Sequence, residues 1–133
     1  MDSLVIDIFS FGFRKSAIPQ NISEHGGGYV FDCRALPNPG RQPKYQQLTG
    51  QDQQVIEYLK KKPQVSQFIE NVYGLVRTHA ENYRQRNFTS LTVCFGCTGG
   101  QHRSVYCAEE LKIRLHNAGY KTTLKHIDKP DFA

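Results

Sequence analysis

The sequence predicts a three-layer α/β sandwich on a mostly parallel sheet of about four strands, from three observations. Short runs rich in β-branched and aromatic residues recur along the chain, segments of helical period separate them, and one run meets a helix through glycines. With 133 residues, 38% of them hydrophobic, the chain can fill one ordinary core but not comfortably two. A single domain spanning 1–133 is expected.

The elements follow in order. "LVIDIF" (Leu4 to Phe9) and "YVFDCR" (Tyr29 to Arg34) are nearly continuous in apolar character, as strands buried on both faces are, so both are expected as interior parallel strands. Between them, Ser10 to Gly28 carries glycine, proline and polar residues without helical period, which predicts a long surface excursion. In "LPNPGRQP" (Leu36 to Pro43) prolines argue against regular structure. Thr49 and Asp52 suit a Thr-x-x-Asp cap ahead of Val55, Ile56 and Leu59, giving a short helix that ends near Pro63. Val65, Phe68, Ile69, Val72, Leu75, Val76, Ala80 and Tyr83 recur at three- and four-residue steps, the apolar stripe of a long helix. "LTVCF" (Leu91 to Phe95) is a third strand. Ser104, Cys107, Ala108, Leu111, Leu115 and Ala118 form the stripe of a third helix, which Gly119 ends. "TTLKHI" (Thr122 to Ile127) is a fourth strand, at an edge because Lys125 and His126 interrupt it.

The formal charge is +5 and the sequence pI about 9.1, a surface that attracts anions such as nucleic acid or phosphorylated small molecules. No stretch approaches the roughly 18 apolar residues of a membrane span, and the start shows no signal-peptide pattern. A cytoplasmic location without membrane attachment is expected. The four cysteines, Cys33, Cys94, Cys97 and Cys107, are expected as free thiols, because disulfide frameworks belong to smaller secreted chains. Cys33 and Cys107 fall on apolar patterns and read as packing residues, and His79 as a boundary histidine. His25, His116 and His126 show no convergent partners.

The chemistry concentrates at "CTGGQHRS" (Cys97 to Ser104), which joins the third strand to the third helix. Ligands of such sheets collect beyond the carboxyl ends of strands. The loop would expose backbone N–H groups of Thr98, Gly99, Gly100, Gln101 and His102, and the helix adds its positive end. Arg103 can fork two donors onto a phosphate, Thr98 and Ser104 can supply hydroxyls, and His102 can donate a proton or a hydrogen bond. These residues make an anion cradle.

Whether the cradle holds or cleaves its phosphate stays open. Cys97-x5-Arg103 with Gly100 inside it satisfies the bare signature of cysteine phosphatases, in which Cys97 would be the nucleophile and Arg103 the clamp. Gly96, however, stands where those enzymes have histidine, and no general-acid loop accompanies it. Cys94-x-x-Cys97 has the spacing of a redox pair or half a zinc site, but no second ligand pair has suitable spacing, so no metal is expected. There is no Gly-Lys-Ser/Thr for a Walker loop, so ATP is not expected, and no cofactor is implied.

Four motifs in order, "FSFGF" (Phe9 to Phe13), "VFDCRALPNP" (Val30 to Pro39), "LTG" with Asp52, and "GCTGGQHRSVY" (Gly96 to Tyr106), resemble the C-terminal domain of the RapZ family of RNase adapter proteins. The match spans nearly the whole chain. Family members usually carry an N-terminal kinase-like domain, so this chain is expected to be a stand-alone form of the second half.

The resemblance implies a fold similar to a phosphofructokinase subdomain, without catalysis of its own, that binds glucosamine-6-phosphate and small regulatory RNA. It implies presentation of RNA to an endoribonuclease and assembly as a homodimer. Carried onto this sequence, the ligand pocket comprises Cys97, Thr98, Gly99, Gly100, Gln101, His102, Arg103 and Ser104, with Asp32 and Arg34 across the crevice. Asp32 would accept from a sugar hydroxyl or ammonium; equally, Asp32 and Arg34 would form a structural ion pair. RNA would meet the basic residues Lys60, Lys61 and Lys62 and the pair Arg84 and Arg86. Two departures stand out: Gly40-Arg41 follows "LPNP" where the family often has His-Trp, and the tail "HIDKPDFA" is nearly neutral where family tails are often basic.

Overall fold

The computed structural model describes residues 3–20 and 27–132. Strands β1 (Val5–Gly12), β2 (Gly28–Asp32), β3 (Ser90–Cys97) and β4 (Lys121–His126) form one sheet in the order β2-β3-β1-β4, with every neighbouring pair parallel. Helices α1 (Gln53–Lys60) and α2 (Pro63–Gln85) connect β2 to β3, and α3 (Arg103–Asn117) connects β3 to β4.

Side-chain alternation along the strands decides what each face meets. Ile6 lies beside Leu91 and Ile8 beside Val93, and these residues share one core with Val55 of α1, Ile69 and Val76 of α2, and Leu111 and Leu115 of α3. The two helical crossovers run in one direction along the sheet and the β1-to-β2 connection runs in the other, so a common hand sends that connection to the opposite face. There Phe11 meets Phe13 edge to face at 4.8 Å, and Cys94 Sγ donates to the Pro19 carbonyl at 3.8 Å. Helices, sheet and connection make the three layers of an α/β sandwich. The expectation for Asn21 to Gly26 lies outside the described residues.

Several elements differ from expectation. β1 runs on through Ser10, Phe11 and Gly12, because Phe95, Gly96 and Cys97 of β3 continue to pair with them. β2 is an edge strand, not an interior one: Val30 is 47% exposed, and the apolar run instead serves Tyr29 and Phe31, which pack on the helical side. β4 is the other edge, as expected. The proline-rich segment is regular after all, forming two single-turn 3-10 helices, Pro39–Arg41 and Pro43–Tyr45. Proline opens each, where a helix needs no N–H. Asp52 binds the Thr49 N–H at 2.6 Å, but in a turn ahead of α1, whose first residue is Gln53. On α2, Val65, Ile69, Val72, Val76 and Ala80 are buried, whereas Leu75 is 50% exposed, one residue and about 100° around the helix from Val76. Gly119 ends α3 with φ of +91°.

Candidate functional site

The carboxyl end of β3 and the first turn of α3 are joined by Thr98 to His102. Gly100 has φ of +73°, and a Cβ there would lie 2.7 Å from the Gly12 nitrogen and 2.9 Å from Asp128 Cβ. Only glycine lets the loop lie this close on the end of β1. Asp128 secures the same corner from below, accepting from the Gly12 N–H and from Ser16 Oγ, each at 2.8 Å.

Donors and acceptors of this loop are used very differently. Several carbonyls here are engaged: Cys97 O accepts from Phe13 N at 2.8 Å, Thr98 O from Arg14 N at 3.2 Å, and Gln101 O from Gly50 N at 3.0 Å. Among the described residues, no backbone N–H from Thr98 through Val105 donates to any acceptor; the first that does is Tyr106, to the His102 carbonyl at 3.0 Å. A run of uncommitted donors at a helix start carries partial positive charge. It borders a cleft of about 390 Å³ lined by Thr98, Gly99, Gln101, His102 and Arg103 beside Cys97, and by Asn38, Gly40 and Gln46 opposite. No acidic side chain lines it.

Arg103 is 5% exposed, and its Nη1 donates to the carbonyls of Arg34 at 2.8 Å and Leu36 at 3.1 Å. One arm of the expected fork is therefore committed to the chain after β2. Among the described residues no carboxylate forms an ion pair with this buried cation, an arrangement that favours an anion arriving from outside.

His102 is 7% exposed. Burial, the largest influence, holds its pKa below the ordinary imidazole value, and Nε2 lies 2.9 Å from the Tyr45 carbonyl. A carbonyl needs a donor, so Nε2 carries the proton and neutral His102 keeps a lone pair at Nδ1. Its expected donor faces Tyr45, not a ligand. Gln101 likewise acts as a staple, its Nε2 donating to the carbonyls of Gln46 and Leu48, both at 2.8 Å. Ser104 is fully buried with its Oγ 3.1 Å from Cys97 Sγ, so its hydroxyl supports Cys97 and does not reach a ligand. Thr98 is half-buried with no hydroxyl partner among the described residues.

Asp32 and Arg34 form the ion pair that the sequence left as one of two alternatives. Both Asp32 oxygens receive Arg34, with Nη2 at 2.7 Å and Nε at 2.9 and 3.0 Å. The Arg34 hydrogen bond, as the largest cause, lowers the Asp32 pKa. The Arg34 guanidinium lies over the Phe13 ring at 4.1 Å. Neither residue lines the cleft of about 390 Å³, although Arg34 lines a neighbouring one.

The basic residues expected to meet RNA are divided. Lys62 caps the start of α2, Arg84 lies in its last turn and Arg86 caps its end, so about 35 Å separates the groups at 1.5 Å per residue. Lys62 Nζ sits over Tyr58 at 4.8 Å, Arg84 over Tyr120 at 4.1 Å and Arg86 over Phe88 at 4.3 Å. Lys60 and Lys61 end α1.

Burial pushes the Cys94 thiol up to about 11. Hydrogen bonding with Cys107, then burial, raises Cys33. Among the described residues no three His, Cys, Asp or Glu side chains converge as metal ligands, and no helix is long and apolar enough to cross a membrane. His79 hydrogen-bonds the Tyr29 hydroxyl. His126 does have partners, contrary to expectation: Nδ1 meets Ser10 Oγ at 2.6 Å and Nε2 meets Glu109 Oε2 at 2.8 Å. The β1–β4 register, which sets Ser10 beside His126, brings them together.

Asn38, Gly40 and Gln46 were not anticipated as cleft residues. Asn38 and Gly40 belong to or adjoin the "LPNP" motif, so their signal was visible. Gln46 carried none.

Three relatives, each named a nucleotide-binding protein, align over most of this chain. The protein of Shewanella sp. strain ANA-3 is 42% identical over 92% of this chain and 41% of its own length. That of Koribacter versatilis is 39% identical over 96% and 39%, and that of Thermotoga sp. strain RQ2 is 42% identical over 92% and 42%. The chain thus spans about two fifths of the length of the curated relatives it matches. A model of the RapZ C-terminal domain matches residues 4–130, taking in β1, the Gly12–Gly100 contact, the cradle and Asp128. The chain belongs to the RapZ C-terminal domain family.

Proposed function

We propose that residues 1–133 form a non-catalytic module that binds a phosphate or a phosphosugar at the cradle between β3 and α3. One observation carries the reading: Thr98, Gly99, Gln101 and His102, whose backbone N–H groups are uncommitted, line the same cleft as the buried Arg103, which forms no ion pair among the described residues. Donors fixed by the scaffold hold a dianion without reorganisation. The relatives' name, nucleotide-binding protein, given to proteins more than twice this length, supports a phosphorylated ligand.

The test is isothermal calorimetry with inorganic phosphate and glucosamine-6-phosphate, the latter implied by the family, together with an aryl phosphate turnover assay. Saturable binding without turnover, retained in Cys97→Ser, is expected. Turnover that depends on Cys97 would establish the phosphatase instead, and no binding of either probe at millimolar concentration would end the reading.

The family resemblance further supports RNA as a partner through Lys60, Lys61, Lys62, Arg84 and Arg86, delivery of that RNA to an endoribonuclease, a homodimer and a cytoplasmic location. Binding of structured RNA should weaken steeply as salt rises from 50 to 200 mM, each phosphate contact adding about one unit to the salt slope. No shift at low salt removes the RNA part.

A further inference from the structure

A second cleft of about 520 Å³ adjoins the cradle and shares Asn38, Thr98 and Arg103 with it. It adds Arg34 and Arg41 to its lining and contains no acidic residue. Arg34 spends Nε and Nη2 on Asp32, so that pair is locally neutral. Arg41 closes the first 3-10 helix, its N–H donating to the Asn38 carbonyl at 3.3 Å, and its exposed guanidinium makes no hydrogen bond or ion pair among the described residues. Arg103, buried and without a carboxylate, lies at the border and lines both clefts. Two guanidinium groups with no carboxylate ion pair among the described residues therefore line a space that adjoins the cradle.

That electrostatic pattern selects the second group of the ligand. An ammonium there would face Arg41 and Arg103 with no carboxylate to meet it, because both Asp32 oxygens are occupied by Arg34. A second anion would instead receive planar two-donor guanidinium contacts. Gly40 contributes too. A Cβ at this position would lie 3.1 Å from Asn38 Oδ1 and 3.3 Å from the His102 ring, so the absence of a side chain keeps the first cleft open beside Arg41.

We propose that this chain binds a sugar carrying two phosphate groups, one in the cradle and the other between Arg41 and Arg103 in the adjoining cleft. The proposal rests on the phosphate-binding reading of the cradle and adds the charge of the group beyond it. The experiment compares glucose 6-phosphate with glucose 1,6-bisphosphate by calorimetry at fixed ionic strength, in the unaltered chain, in Arg41→Ala and in Lys125→Ala. Lys125, exposed on edge strand β4, controls for loss of one positive charge outside the clefts, and thermal melting checks that each variant is folded. The bisphosphate should bind about tenfold or more tightly than the monophosphate, the worth of one charge-assisted contact. In R41A that ratio should fall below about threefold, and in K125A it should persist. Equal affinities in the unaltered chain, or equal losses in R41A and K125A, overturn the proposal while leaving the cradle intact. Failure of inorganic phosphate and both sugars to bind overturns the cradle reading along with it.

Discussion

Two segments face each other across the same space and are built on opposite principles. The turn after β3 presents backbone: its donors are uncommitted and its shape depends on Gly100 against Gly12. The segment after β2 presents side chains: Arg34 is 49% and Asp32 48% exposed, paired with each other on the surface. The first is preorganised by the fold, through its glycines and through the Gln101 and His102 side chains that fasten it to the 45–48 segment. The second can change without disturbing the scaffold. On the proposed phosphate-binding reading, the difference assigns general affinity to the first segment and discrimination between ligands to the second.

Substitutions should rank accordingly. Gly100→Val imposes a β-branched residue at φ of +73° with its Cβ 2.7 Å from the Gly12 nitrogen. It should cost about 2–5 kcal/mol in a urea titration and abolish phosphate binding. Arg103→Met comes next, leaving the Arg34 and Leu36 carbonyls without their donor. A loss of about 1–3 kcal/mol and a fall in phosphate affinity of roughly 10- to 100-fold are expected by denaturation and calorimetry. Gln101→Ala removes two staples to the 46–48 segment and should cost about 1–2 kcal/mol, with proteolysis near Gln46 accelerated. Asp32→Asn, at the exposed pair, should cost less than about 1 kcal/mol and change phosphate affinity by less than about threefold. If it matched Arg103→Met, the contrast between the two segments would be wrong.

Acidity sharpens the same contrast. The folded pKa of His102 lies below its ordinary value of 6.5, so the unfolded chain takes up the proton first as pH falls. The contribution of neutral His102 is complete above about pH 6.5 and is lost as pH falls through the lower folded value. Melting temperature should decline over that window, and His102→Gln should flatten the decline. Glu109, held below the ordinary carboxylate range chiefly by its bond to His126, contributes above about pH 4.5 and is lost on further acidification.

The general plan was legible because it rests on local pattern. The α2 stripe and the Cys97 to Ser104 junction each declare themselves within a few residues, and glycine at 119 marks a helix end by its backbone freedom. What stayed hidden depends on pairing. An apolar run does not say how many neighbours a strand has, so β2 read as interior. Ser10 and His126 lie 116 positions apart and meet only through register. The committed arm of Arg103 could not be seen either, since the carbonyls it binds become close only when the segment after β2 folds beside α3.

Asp128 has a practical consequence. It follows the last strand, yet its carboxylate grips the Gly12 N–H and Ser16 beneath the glycine turn. A recombinant boundary drawn just past His126 would keep every strand and helix of the described residues while removing the latch under the glycine turn. Shortened versions should thus be judged by ligand retention as well as by their content of regular structure.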